Sequence, residues 1–259
     1  MNRRVRDKMG AAMPFDPALD RTAHRQWSLP ERPWVMTQSW HDLLFAHWRV
    51  EERLLRLHIP AAFSIDRFDG SAWLGIVPFT MTNVSARGVP PVPWLSAFPE
   101  LNVRTYVRPR DGKGGVFFFS LDAGRLLAVL AARAMFRLPY FAATMRVTHS
   151  GDTVQSQSRR RGGAAFAARY EPAGPVFAAA RGSLEFFLTE RYCLYHVDPF
   201  GRPSRLEIHH DPWPLQPARA EIAENTMADG LGVRLDGPPL LHFAKRLDVV
   251  TWWSRPLRF

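Results

Sequence analysis

Apolar positions follow a helical spacing near the start of the folded chain and a strand spacing through most of the rest. Ser39 and Asp42 stand like a capping box, and Trp40, Leu43, Leu44 and His47 recur behind them at helical intervals, so a helix is predicted over residues 39–47. A second helical stretch over 51–57 is stopped by Pro60. Beyond it the period changes. Residues 72–81, bounded by Asp69-Gly70, are rich in apolar and β-branched side chains and read as a buried strand. Over 101–107 the alternation is clean, with Leu101, Val103, Thr105 and Val107 on one side. Glu100, Asn102, Arg104 and Tyr106 fall on the other. A glycine-rich turn, 111–115, leads into Val116-Phe117-Phe118-Phe119, which makes the pair a hairpin. That turn is not a phosphate loop, because no Gly-Lys-Ser/Thr follows and the next element is a strand.

Asp122 is positioned to cap a buried helix over 123–137, ended before Pro139. Residues 143–147 and 153–160 form a second hairpin around Ser150-Gly151-Asp152. Ser183 opens a further helix with Leu184, Phe187, Leu188 and Tyr192 on one face, and strand-like segments fill the rest. The first 35 residues, with prolines at 14, 17, 30 and 33 and no sustained period, read as a basic, flexible arm before a single domain over 36–259. The fold class is mainly β (α+β), an antiparallel sheet or barrel with a few packed helices.

Composition narrows the partners. The 259 residues carry 34 Lys+Arg against 24 Asp+Glu, a net +10 that is nearly all arginine, since the only lysines are Lys8, Lys113 and Lys245. The densest basic run, Arg159-Arg160-Arg161, is short and lacks the interleaved aromatics of a single-strand platform, so nucleic acid is not expected. No apolar run approaches the ~20 residues of a membrane-spanning helix, and the start of the chain has no export signal. One cysteine, Cys193, forms no internal disulfide, which suits a reducing cytoplasm. His209-His210-Asp211 invites a metal, yet adjacent strand residues point to opposite faces, and no metal or cofactor is expected.

Four strings now carry a resemblance: Trp73-Leu74-Gly75-Ile76-Val77-Pro78-Phe79, Glu100-Leu101-Asn102-Val103-Arg104-Thr105-Tyr106-Val107, Thr189-Glu190-Arg191-Tyr192 and His210-Asp211-Pro212-Trp213-Pro214-Leu215. From residue 36 onward the chain resembles the bacterial YqjF-like family, whose fold is similar to acetoacetate decarboxylase. The resemblance implies an antiparallel β-barrel or cone around a ligand pocket, and Glu100 then matches a pocket glutamate of the decarboxylase. The decarboxylase's paired lysines are absent, because the matching string is Phe136-Arg137-Leu138-Pro139-Tyr140-Phe141. Without a primary amine there is no Schiff base.

The polar stripe of Glu100, Asn102, Arg104 and Tyr106 would face solvent on an open sheet. In a barrel it would face the lumen and grip a small ligand. The expected site therefore has Glu100 and Tyr140 as catalytic groups and Asn102, Arg104 and Tyr106 as ligand-binding groups, for a small carboxylate or carbonyl metabolite. Any turnover would be of a non-imine lyase, isomerase or hydrolase kind. A non-catalytic sensor and a filled scaffold stay open as alternatives, and a homo-oligomer is compatible with all three.

Overall fold

The computed structural model describes residues 19–89, 97–124, 138–198 and 200–257. In chain order its elements are β1 (Met36–Val50), α1 (Glu52–Arg56), β2 (Phe63–Ile65), β3 (Ala72–Ala86), β4 (Phe98–Pro109), β5 (Gly115–Ala123) and β6 (Tyr140–Ser150). There follow β7 (Thr153–Arg160), β8 (Ala165–Pro172), α2 (Leu184–Thr189), β9 (Cys193–Val197), β10 (Pro203–His209), β11 (Leu215–Asn225), a 3-10 turn at Asp229–Leu231, β12 (Leu240–Thr251) and β13 (Arg255–Pro256). The hairpins expected at β4–β5 and β6–β7 are present. Ser183 caps α2 by accepting a hydrogen bond from the Phe186 amide at 3.2 Å.

Strand pairing closes the sheet twice. Nine strands, in the order β1-β3-β4-β5-β6-β7-β8-β11-β12, return to β1 as a closed barrel. Every pairing is antiparallel except β5 with β6 and β5 with β9. The β9–β10 hairpin spans from β5 to β12 on the other side of β1, β3 and β4, so those strands also belong to a smaller seven-stranded ring. Each ring has its own core. Leu44, Ala46, Leu74, Ile76, Leu101 and Val103 pack with Val154 and Phe166 of the barrel wall opposite and with Phe243 of the adjoining β12. Leu43, Phe45, Val77, Phe79, Phe118 and Leu121 pack with Leu206 and Ile208 of β10. Strands β1, β3 and β4 thus form a partition with both faces buried.

The helix expected over 39–47 is instead the middle of β1, and the reason is visible in the register. One extra residue, Asp42, is inserted in β1 against β3, with a left-handed φ of 52°. Met36, Gln38 and Trp40 face the smaller ring before it, and Leu43 does so after it. The insertion stretches a two-residue spacing to three, which imitates a helix, and burial of both faces hides the alternation. Ser39, expected to cap, donates to the Asp248 carboxylate at 2.6 Å. Asp42 accepts from Lys245 at 2.7 Å and His149 at 2.8 Å. Asp122 is likewise no helix cap: it lies in β5 and accepts from Ser158 at 3.0 Å and Arg160 at 2.6 Å. The rest of that expected helix, 125–137, lies outside the described residues.

Of the expected arm, residues 1–18 also lie outside them, and 19–35 run along the barrel. Arg25 is buried and donates to the Ile208 carbonyl at 2.8 Å. Leu19, Leu29 and Trp34 pack on Val250 and Trp252. None of the helices described is long and apolar enough to cross a membrane.

Candidate functional site

The smaller ring encloses a cavity of about 300 Å³. Its walls are mainly apolar, and β4 lays Glu100, Asn102 and Arg104 along one of them. Strict alternation puts these side chains on one face, and that face turns inward because β9 and β10 cover it. Tyr140, at the start of β6, joins them. Tyr106, the fourth residue of the stripe, does not line the cavity. Its hydroxyl donates to the Leu188 carbonyl at 2.8 Å, and its oxygen then accepts from His47 Nε2 at 2.7 Å. Burial, with Arg104 and His242 adding repulsion, holds His47 well below its ordinary pKa and so neutral. Gly75 makes this packing feasible, since a Cβ there would sit 2.9 Å from the His47 ring and 3.4 Å from Arg104 Cγ.

Glu100 and Tyr140 form a buried pair, with the phenol donating to Glu100 Oε2 at 2.8 Å. Burial pushes the Glu100 carboxyl up to about 8, helped by Asp122 and opposed by the Tyr140 hydrogen bond. Glu100 is therefore mainly an acid at neutral pH, able to donate a proton as well as accept one. Burial and the adjacent Glu100 push Tyr140 well above its ordinary range, so it stays a donor.

Arg104 is 9% exposed, and no carboxylate lies within ion-pair distance of it among the described residues. One guanidinium nitrogen reaches the Leu188 carbonyl at 3.3 Å, the group lies 5.4 Å from the Phe45 ring centre, and its Nε has no partner. Asn102 Oδ1, the next polar atom along the strand, has none either. The other arginine of the wall, Arg191, is paired with Asp66 at 2.8 Å and donates to the Phe187 carbonyl at 2.5 Å. A buried cation without a counterion beside an unpaired amide oxygen is a polarity that a ligand can complete.

The cover over this wall was only partly legible. Glu190 follows α2 and accepts from the Trp213 amide at 2.9 Å and from Tyr192. His210 locks its loop, since Nδ1 donates to the Asp211 carbonyl at 2.6 Å, yet it also lines the cavity with Nε2 unpartnered. Burial lowers His210 to about 3. Behind it, His24 donates to the His210 carbonyl at 2.8 Å, and Arg21 pairs with Asp211 at 2.7 Å. His210 and Trp213 were missed as wall residues, and His47 as the partner of Tyr106 behind the wall. The tilted ring contact of His210 with Tyr192, centroids 4.6 Å apart, joins segments that sequence spacing does not bring together.

Among the described residues, no three His, Cys, Asp or Glu side chains gather as a metal would need. Burial pushes the Cys193 thiol up to about 11, so it is not a ready nucleophile. Lys245 is largely exposed and spent on Asp42.

This architecture is that of an acetoacetate-decarboxylase-like barrel. Solved structures similar to it include acetoacetate decarboxylase from Legionella pneumophila, with a TM-score of 0.62 and 11% identity over 92% of this chain and 94% of that one. The enduracididine biosynthesis enzyme MppR complexed with pyruvate gives 0.61 and 9% over 90% and 93%. Such identities establish the fold alone. The chain itself belongs to the DUF2071 family, described as an uncharacterized conserved protein, which it matches over residues 37–248. It is also 46% identical over 242 residues to the uncharacterized protein YqjF of Bacillus subtilis, covering 92% of this chain and 98% of that one.

Proposed function

We propose that this protein binds a small carboxylate- or carbonyl-bearing metabolite in the cavity and that Glu100 exchanges a proton with it. The observation that carries the reading is the unneutralised, buried Arg104 on the same wall as the Glu100–Tyr140 pair. Arg104 anchors the anionic end through charge-assisted hydrogen bonds. Asn102 orients the middle of the ligand, and Tyr140 keeps one Glu100 oxygen occupied, so the other faces the reacting carbon. The ionised fraction of Glu100 takes the proton next to a carbonyl and becomes the neutral carboxyl, leaving an enolate that this carboxyl and the Asn102 amide stabilise by hydrogen bonding. No imine enters this scheme, because position 140 carries a phenol and Lys245 lies outside.

The test uses 2-oxo and 3-oxo acids in D₂O, with deuterium incorporation followed by NMR and binding by calorimetry. Arg104→Ala is expected to weaken binding by about 1.5–3 kcal/mol, the range for a hydrogen bond to a charged group. Glu100→Gln is expected to keep binding and lose exchange. Borohydride added during the incubation should leave the protein's mass unchanged. Exchange that survives in Glu100→Gln would remove Glu100 from the mechanism, and a trapped lysine adduct would replace the scheme with an imine.

A further inference from the structure

The cavity is long, and its charged side chains, Arg104, Arg191 and Glu100, lie away from the Met36–Val89 end, where the polar residues among the described lining are the uncharged Gln38, Ser85 and Thr251. From Arg104 the wall runs along β4 through Asn102 and Glu100 to Phe98, six residues, or roughly 20 Å at the rise of a strand. It continues beside β3 to Val84 and Ala86 and reaches Val89, which is half exposed, whereas Arg104 is backed by the fully buried Tyr106. The charged end is therefore the blind one, and the opening lies toward residues 84–89. Between them the lining is Met36, Trp40, Phe79, Met81 and Phe98. Gln38 is already used, since its oxygen accepts from Trp40 Nε1 at 2.9 Å and its nitrogen reaches the Met36 sulfur at 3.3 Å, while the Thr251 hydroxyl and Trp213 Nε1 are neutral groups without a partner.

We propose that the ligand is an amphipathic monocarboxylate, its carboxylate seated on Arg104 and its extended alkyl or arylalkyl body lying along the Phe79–Met81–Phe98 wall toward the opening. This deepens the reading above and rests on it. A three- or four-carbon keto acid would occupy only the polar end and leave the methionine and aromatic lining without contacts. A cavity of about 300 Å³ stands instead at the lower bound of sites for drug-sized ligands. Two methionines in the wall suit a flexible chain, because their unbranched thioethers adapt to its contour. A dicarboxylate is disfavoured, since its second charge would rest against Phe98 and Met81, where no cation is among the described lining residues.

The experiment measures calorimetric affinities of the full chain for butanoate, acetoacetate, octanoate, decanoate, phenylpropanoate, decanol and decylamine, and repeats them with Arg104→Gln and Val84→Trp. Each methylene buried should tighten binding about fourfold, so decanoate is expected to bind on the order of a hundredfold or more tighter than butanoate. Decanol and decylamine should bind at least about tenfold more weakly than decanoate, and Arg104→Gln should remove that preference. Val84→Trp, which narrows the opening end, should weaken decanoate and spare butanoate. Acetoacetate binding as tightly as decanoate, with Arg104 still required, would overturn this inference and leave the broader reading standing. Failure of every carboxylate to bind would overturn both. Equal affinity for decanoate and decanol would remove the anchor, and Val84→Trp settles the tail's path on its own if Arg104→Gln does not fold.

Discussion

Glu100 is a carboxyl kept in its acid form by burial, which ties the fold's stability to pH. Its folded value of about 8 lies above its ordinary 4.5, so the folded protein holds a proton that the unfolded chain releases. The contribution is complete below about 4.5 and is lost as pH rises to about 8, a change on the order of a few kcal/mol. Glu100→Gln keeps the shape and cannot titrate. Urea unfolding at pH 5.5 and pH 8.5 should show wild type losing stability relative to Glu100→Gln as pH rises. Parallel pH profiles for the two proteins would mean that Glu100 is ionised in its cavity. His47 and His210 act with the opposite sign, since both are held neutral by burial: their contribution is complete above about 6.5 and is lost as pH falls below that toward their folded values, about 3 for His210.

At the scale of elements, inserted residues decide which side chains reach the cavity. Asp42 in β1 and Asn83 in β3 both take φ of 52°, and Phe119 of β5 is left over between the register pairs Val103–Ser120 and Arg104–Phe118. On β3 the cavity residues are Val77, Phe79 and Met81 before Asn83, then Val84, Ser85 and Ala86 after it. On β5 they are Val116 and Phe118 before Phe119, then Leu121 after it. Asn83 tolerates the left-handed backbone and donates to Ser39 Oγ at 3.2 Å. Asn83→Val should therefore lower stability by about 1–2 kcal/mol in chemical unfolding, whereas Asn83→Gly should stay within about 1 kcal/mol of wild type. Equal losses in both variants would locate the effect in the lost side chain rather than the backbone.

The same insertions explain what the sequence disclosed. Through its cavity-facing stretch β4 pairs with β3 without an added residue, so its stripe of Glu100, Asn102 and Arg104 alternates cleanly and was legible, as was the turn into β5. β1 carries an insertion and apolar residues on both faces, and its period looked helical. Tyr106 belonged to the stripe by spacing alone, and only the positions of His47 and Leu188 direct its hydroxyl away from the cavity. His210 and Trp213 reach the cavity through contacts distant in sequence, which no local period records.

For the molecule as a whole, the segment before β1 is a brace rather than a bystander. Residues 19–35 hold the back of the loop that presents His210 and Trp213: His24 and Arg21 fasten that loop, while Arg25 lies 4.4 Å over the Tyr192 ring. The Trp252 indole donates to the Arg32 carbonyl at 2.7 Å, and the Val35 amide pairs with Thr251 at 2.8 Å. Deleting residues 1–18 is expected to leave the melting temperature within a few degrees of wild type. Deleting 1–33 should remove several buried hydrogen bonds, cost roughly a few kcal/mol and broaden the melt. Identical melting of both truncations would show that these contacts do not hold the cover.

The partition of β1, β3 and β4 has no side in water, and this bears on how such a protein could diverge. A substitution on a surface strand is usually absorbed by solvent, but one on the cavity face here displaces backbone whose reverse face is packed into the barrel core. A new ligand preference gained at Phe79 or Asn102 would be inherited together with a weaker fold. Val84 and Val89, near the opening and open to solvent in part, carry no such burden. Drift in ligand preference among descendants of this chain should therefore begin at the rim, with the partition changing only after compensating substitutions in the other core.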